Sequence, residues 1–258
     1  MKRKLTIGTR KSALALWQAE YIKKALEGHD SELTVTLEHI VTKGDKILDV
    51  PLARIGGKGL FTTELESRLL AGTIDLAVHS LKDLPADLPD GLCLAAVTAR
   101  SHVHDVFVSN RYASLDALPQ GTCVGTSSLR RRAQLLAHRP DLTVCDLRGN
   151  VDTRLKKLDD GEYDAIILAE AGLTRLGLTD RITQLLPTDT MIPAVGQGAL
   201  AIETRSDDND LKQALSFLCD EETTAATTAE RTFLAAINGS CQVPVGVYGK
   251  AKDGQLTL

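Results

Sequence analysis

Two stretches decide the fold: "GTIDLAVHSLKDL" (Gly72–Leu84) and "GEYDAIILAEAGL" (Gly161–Leu173). Gly, Asp and Leu match at the first, fourth and thirteenth positions, with apolar strand residues between. A second pair stands upstream of each in the same order. "TIGTRKSALAL" (Thr6–Leu16) and "CVGTSSLRRRAQLL" (Cys123–Leu136) each read as a strand ending in Gly-Thr, then a Ser-capped helix. Two matches in one order imply two α/β domains of like topology, built from βαβ units with a mostly parallel sheet.

The segments around these pairs extend the pattern. "KLTIGT" (Lys4–Thr9) is a short buried strand, and the helix from Ser12 to Gly28 repeats Leu14, Trp17, Tyr21 and Ala25 at three- and four-residue steps. "LTVTLEHIVT" is a strand and "TTELESRLLAG" a helix stopped by Gly72. Hinges are expected at Ala99–His104 and at "PAVGQGA" (Pro193–Ala199). Two crossings divide the chain into a first domain (1–98 and 199–217), a second (104–193), and the start of a third (221–258). The third opens with an Ala/Thr-rich helix capped by Asn238-Gly239 and ends in a hairpin with an Asp-Gly turn, its second strand cut short. Paired domains of this type put a ligand between them, at strand carboxyl ends and helix amino ends.

Composition narrows the ligand. The 258 residues carry a net charge of −4, which argues against general nucleic-acid binding. Aromatics are only 3%, so the cores must be Leu, Ile, Val and Ala. No apolar run approaches the roughly 18 residues of a membrane span, and no signal-peptide core follows "MKRK", so a soluble cytoplasmic protein is expected. The five cysteines (Cys93, Cys123, Cys145, Cys219, Cys241) form no CxxC pair. That removes support for a metal site, and the odd count suggests free thiols, mostly buried as small hydrophobes.

Chemistry concentrates in three places. "HSLKD" (His79–Asp83) puts Lys82 beside Asp83 at a strand exit. Arg10, Arg130, Arg131, Arg132, Arg148 and Arg154 gather where helices begin, with Ser127 and Ser128 among them. The helix dipole disfavours cations there, so their presence argues for an anion with several acidic groups. No Walker loop or GxGxxG is present, and "GGKGLF" lacks P-loop spacing. Cys241, in "NGSCQVPVG", lies in a loop after a helix, where a thiol can be reached and can serve as nucleophile or covalent anchor. Burial habits alone would leave it structural.

Together "TRKSALALWQA", "GGKGLF", "DLAVHSLKDLP", "VGTSSLRRRAQL", "LRGNVDTRL", "DAIILAEAGLTRLG", "PAVGQGA" and "GSCQVPVG" resemble the porphobilinogen deaminase family, from about Leu5 to the last residue. The resemblance implies two periplasmic-binding-protein-like α/β domains around a cleft, plus a small α+β third domain that is truncated here. It implies a transferase joining four porphobilinogen molecules head to tail, releasing ammonia, in haem biosynthesis. A dipyrromethane cofactor would be held as a thioether on Cys241. By the same resemblance Asp83 is catalytic; Lys82, Ser80, Ser127, Ser128, Arg130 and Arg131 hold the cofactor; Arg10, Ser12, Lys58, Arg148, Arg154 and Arg175 hold substrate carboxylates. A monomer without nucleic-acid or membrane partners is expected. The alternative from the residues is a non-catalytic two-domain binding protein for a polycarboxylate.

Overall fold

The computed structural model describes residues 4–46, 59–239 and 243–258. Two five-stranded sheets organise it. The first has the order β2-β1-β3-β10-β4, from β1 (Lys4–Thr9), β2 (Thr34–His39), β3 (Leu76–Ser80), β4 (Leu92–Val97) and β10 (Leu200–Arg205). The second is β7-β6-β8-β5-β9, from β5 (Asp105–Val108), β6 (Cys123–Gly125), β7 (Thr143–Cys145), β8 (Ala165–Ala169) and β9 (Gln184–Leu186). Their patterns correspond strand for strand, as the internal repeat predicts. Even the matched aspartates do the same work. Asp75 accepts the backbone N–H of Thr6 at 2.8 Å, and Asp164 that of Cys123 at 3.2 Å, each fastening the strand beside its own.

The sheets are less parallel than expected. β1 pairs in parallel with β2 and β3, but β10 runs antiparallel to both β3 and β4. In the second sheet β6 is parallel to β7 and β8, while β5 is antiparallel to β8 and β9. The crossings explain this. β10 and β5 each arrive from the other sheet, so they start opposite the exits of β3 and β8: Leu200 lies across from Ser80, and Asp105 from Ala169. The two crossing segments touch each other there. Ser101 N–H donates to Gly198 O at 3.2 Å, and a Cβ on Gly198 (φ +95°) would sit 2.2 Å from Ser101 O, so only glycine fits.

Helices cover both faces of each sheet, which is why the inner strands are continuously apolar. Helix α1 (Ala13–His29) is capped by the Ser12 hydroxyl, which accepts from Ala15 N–H. Its core stripe is Gln18, Ala19, Ile22 and Leu26, packed with Val35, Leu76 and Ile202. That corrects the sequence reading: Trp17 and Tyr21 keep helical spacing but stand exposed, and Gly28 lies inside the helix. After the one-turn α2 (Lys43–Lys46), α3 (Thr63–Leu70) lays Leu65 and Leu69 on the opposite face. In the second sheet Phe107 packs with Leu135 of α4 (Leu129–His138). Val106 and Ile166 face the other way, onto Leu155 of α5 (Val151–Asp159) and Leu173 of α6 (Glu170–Arg175). Each such buried aliphatic side chain contributes about 1.5–3 kcal/mol.

After α7 (Asn209–Leu215), helix α8 (Glu221–Ala236) ends as anticipated, with Asn238 at φ +50° and Gly239 N–H bonded to Leu234 O. The hairpin β11 (Lys250–Lys252) and β12 (Gln255–Thr257) turns at Asp253-Gly254, both at positive φ. Glu230 on α8 is fully buried and binds three parts of the chain at once: the Arg100 guanidinium at 2.7 and 2.9 Å, Gly196 N–H at 2.7 Å, and Gly249 N–H at 2.7 Å. It therefore fastens α8 to both crossings. Among the described residues no helix is long and apolar enough to cross a membrane.

The cysteines depart from the buried, unpaired reading. Cys123 and Cys145 are bonded across β6 and β7, because the register that pairs Gly125 with Cys145 puts both side chains on one face. Cys93 is half-buried and Cys219 exposed. Cys241 lies outside the described residues.

Candidate active site

Everything that converges here starts from strand ends. β3 leaves its sheet at Ser80 and turns through Leu81–Asp83, which presents Lys82 half-buried and Asp83 exposed. His79, one residue earlier, is consumed by the core, its Nε2 3.0 Å from Glu203 on β10. Ser80 accepts from Gln18 Nε2 at 2.8 Å, tying α1 to this exit.

Opposite stands the start of α4. Ser128 caps it, accepting from Arg131 N–H, and Ser127 bridges to Leu147, accepting its N–H at 3.0 Å and donating to its carbonyl at 3.1 Å. Arg130 and Arg131 are buried in the first turn. Their place at a helix start predicts a ligand anion to compensate them, but the protein supplies one of its own. Asp105, fully buried at the head of β5, takes Nε and Nη2 of Arg131 at 3.1 and 2.7 Å, and Nη1 of Arg130 lies 2.6 Å from its other oxygen. Burial would raise the Asp105 pKa, but Arg131 and Arg130 together hold it well below the usual carboxylate range. Arg131 also donates to Ile167 O, so each of its guanidinium nitrogens has a protein partner. Arg130 Nη1 donates to Ile192 O at 2.6 Å.

A glutamine links this cluster to the first sheet. Gln197, in the second crossing, donates from Nε2 to Asp105 at 3.1 Å and to Val103 O at 2.8 Å, and its Oε1 lies 3.4 Å from Lys82 Nζ. Asp105 and Gln197 were not anticipated as site residues. The available signal was an acid heading the apolar strand "DVFV", directly after a crossing.

Arg154, Arg148 and Arg175 complete the cationic set. Burial pushes Arg154 down to about 10, with Arg131 and Arg148 adding repulsion and Asp83 opposing it. Its Nε donates to Gly149 O at 2.7 Å. Arg175, at the end of α6, is also pushed to about 10 by burial, with the Asp83 charge opposing the shift. Its Nη2 donates to Gly198 O at 2.7 Å. Lys82 is lowered to about 8, first by burial, with Arg131 and Arg130 repelling its charge and Asp83 and Asp105 supporting it. Asp83 is thus the acid that acts on Lys82, Arg154 and Arg175 alike.

Arg10 stands just before α1. It already has a carboxylate partner in Asp45 (Nε–Oδ1 3.1 Å) and lies 4.3 Å over the Phe61 ring. Lys58 lies outside the described residues. The flanks of Cys241 reach the same region, since Val247 N–H donates to Pro193 O, next to the Ile192 carbonyl that accepts from Arg130.

Fold and site together define a two-lobed α/β protein whose lobes meet at a seam lined by buried, mutually repelling cations. Such a set is built for a ligand with several carboxylates. The comparisons agree on the fold and go further on the chemistry. Solved structures with the same fold include the methionine-binding protein MetQ (TM-score 0.55, 15% identity, 92% of this chain and 96% of that one covered). Another is a periplasmic substrate-binding protein of an ABC transporter from Coxiella burnetii (TM-score 0.53, 14% identity, 88% and 96% covered). The model of the porphobilinogen deaminase dipyrromethane cofactor-binding domain matches residues 5–213, and that of the porphobilinogen deaminase C-terminal domain matches 224–258.

The chain belongs to the porphobilinogen deaminase family, transferases that polymerise porphobilinogen into hydroxymethylbilane in tetrapyrrole biosynthesis. Its cofactor is dipyrromethane.

Proposed function

We propose that this chain carries out the family's polymerisation with Asp83 as its catalytic carboxylate and Cys241 as the thioether anchor of dipyrromethane. The observation that carries the reading is the convergence of three half-buried cations, Lys82, Arg154 and Arg175, drawn from both sheets, on the exposed carboxylate Asp83. Burial lowers the pKa of all three, and an added anion would favour their charged forms, which fits a cofactor and substrate bearing an acetate and a propionate on every pyrrole.

The cofactor, when bound, supplies a free pyrrole α-carbon as the nucleophile. Lys82, Arg130 and Ser80, with Ser127 and Ser128 at the amino end of α4, would hold its carboxylates. Arg131 serves by orienting Arg130 through their shared Asp105, its own nitrogens being engaged. Arg148, Arg154 and Arg175 would hold substrate carboxylates, joined by Arg10, Ser12 and Lys58. Asp83 is exposed, so its carboxylate can face the pyrrole N–H groups and stabilise the positive charge that develops as ammonia leaves.

The division into domains at 1–98 with 199–217, 104–193 and 221–258 is part of this reading, supported by the strand orders. So is a cytoplasmic monomer that binds no nucleic acid, supported by the acidic balance of −4.

The test is the denatured intact mass after exposure to porphobilinogen, with turnover measured alongside. The parent should gain two pyrrole units covalently and Cys241→Ser none. Asp83→Asn should keep the adduct and lose most turnover, on the order of a hundredfold or more for a lost charge-stabilising group. An adduct on Cys241→Ser, or near-normal turnover by Asp83→Asn, refutes the respective assignment.

A further inference from the structure

Helix α1 carries an unexplained feature. Trp17 and Tyr21 stack face to face, 5.3 Å between centroids and 6° between planes, yet they are 37% and 49% exposed. They lie off the core stripe of Gln18, Ala19, Ile22 and Leu26, so the pair does not serve the core. In a chain with one tryptophan and four tyrosines, two of these rings are spent on an open surface.

Its position gives it meaning. The Arg175 guanidinium lies 6.0 Å from the centroid of the Trp17 ring and donates to Gly198 O in the second crossing. The Asp83 carboxylate is close enough for its charge to support that of Arg175. α1 also approaches α6 directly, since Leu14 Cδ2 would lie 3.8 Å from a Cβ on Gly172. Arg175 thus joins the stacked rings of α1 to the second crossing, at the seam between the two sheets.

We infer that Trp17 and Tyr21 form a stacking platform for the elongating oligopyrrole, seating rings already joined while Arg175 takes their carboxylates. This rests on the polymerisation proposed above. Each added ring brings an apolar face and two acidic side chains, and the surface offers an aromatic face with a cation beside it. Stacking tolerates rings of any number or substitution, because each presents the same π-face. That suits a ligand which lengthens in place.

Trp17 is the sole tryptophan, so its emission reports on the platform directly. The cofactor-loaded protein is titrated with porphobilinogen while emission and the denatured mass ladder are read together. Quenching should grow as the longer adducts accumulate. Trp17→Phe should keep the parental ladder, and Trp17→Leu should accumulate shorter adducts, its late additions slowed roughly two- to tenfold, the range for one aromatic pair. Support requires both the emission change and the altered Trp17→Leu ladder; either one alone overturns the platform. If no pyrrole units add to the parent at all, the polymerisation reading itself falls, and the platform falls with it.

Discussion

Asp105→Asn is the perturbation that most directly tests the site's architecture. The substitution keeps shape and removes one charge from a position that is fully buried. Asp105 meets Arg131 at 3.1 and 2.7 Å, Arg130 at 2.6 Å and Gln197 at 3.1 Å, so the change leaves two buried guanidinium groups without their carboxylate. Breaking a buried pair from one side costs about 3–5 kcal/mol. The cost should be near the upper end, since two cations then repel each other. The pH dependence has a definite sign. Asp105 is held far below its ordinary 3.8, so its contribution is full above about 4 and fades as pH falls below that. Urea unfolding at pH 7 should show the full loss, and the gap between parent and variant should narrow in strong acid. Arg131→Met should cost less, because Arg130 keeps its carboxylate, and the double variant should show coupling of about 0.5–3 kcal/mol. A loss under about 1 kcal/mol for Asp105→Asn at pH 7 would refute the claim that this carboxylate organises the two arginines.

Three further outcomes follow from the geometry. Lys82 is lowered from 10.5 to about 8, so its charge, and with it capture of a ligand carboxylate, should fade as pH rises through 8; Lys82→Met should flatten that limb of the pH profile of cofactor assembly by apo-protein. For the free fold the sign is opposite, because burying the ammonium is a penalty below about 8 that disappears above 10.5. Glu230→Gln should cost about 3–5 kcal/mol by stranding Arg100 and should speed limited proteolysis around α8, whereas unchanged proteolysis would show that the pair does not fasten it. Protein purified without reductant should expose two fewer cysteines to alkylation than the reduced protein, and equal counts would contradict the Cys123–Cys145 bond.

Much of this molecule is determined by sequence alone, and the reasons are local. The Gly72–Leu84 and Gly161–Leu173 pair encodes a buried strand with a polar exit, and those requirements are met by residues adjacent in the chain. Ser12, Ser128, Asn238 and Asp253-Gly254 mark helix starts, a helix stop and a turn for the same reason: a cap or a positive φ concerns only neighbouring peptides. The strand exits carrying Lys82 and Asp83, and the helix start carrying Arg130 and Arg131, were legible on that basis.

What needed the tertiary structure is everything set by partners distant in the chain. β5 and β10 run antiparallel because each enters from the opposite sheet, a direction no local pattern encodes. Trp17 and Tyr21 obey helical spacing, yet the face α1 buries is chosen by Val35, Leu76 and Ile202, so the periodicity could not say which stripe lay inside. The charge logic of the arginines was legible but not the anion's source, because Asp105 lies 26 residues from Arg131 and reaches it only through the pairing of β5 with β8. A carboxylate's role depends on what burial brings beside it. That is a property of the packed chain, and the sequence records only the residues that packing will bring together.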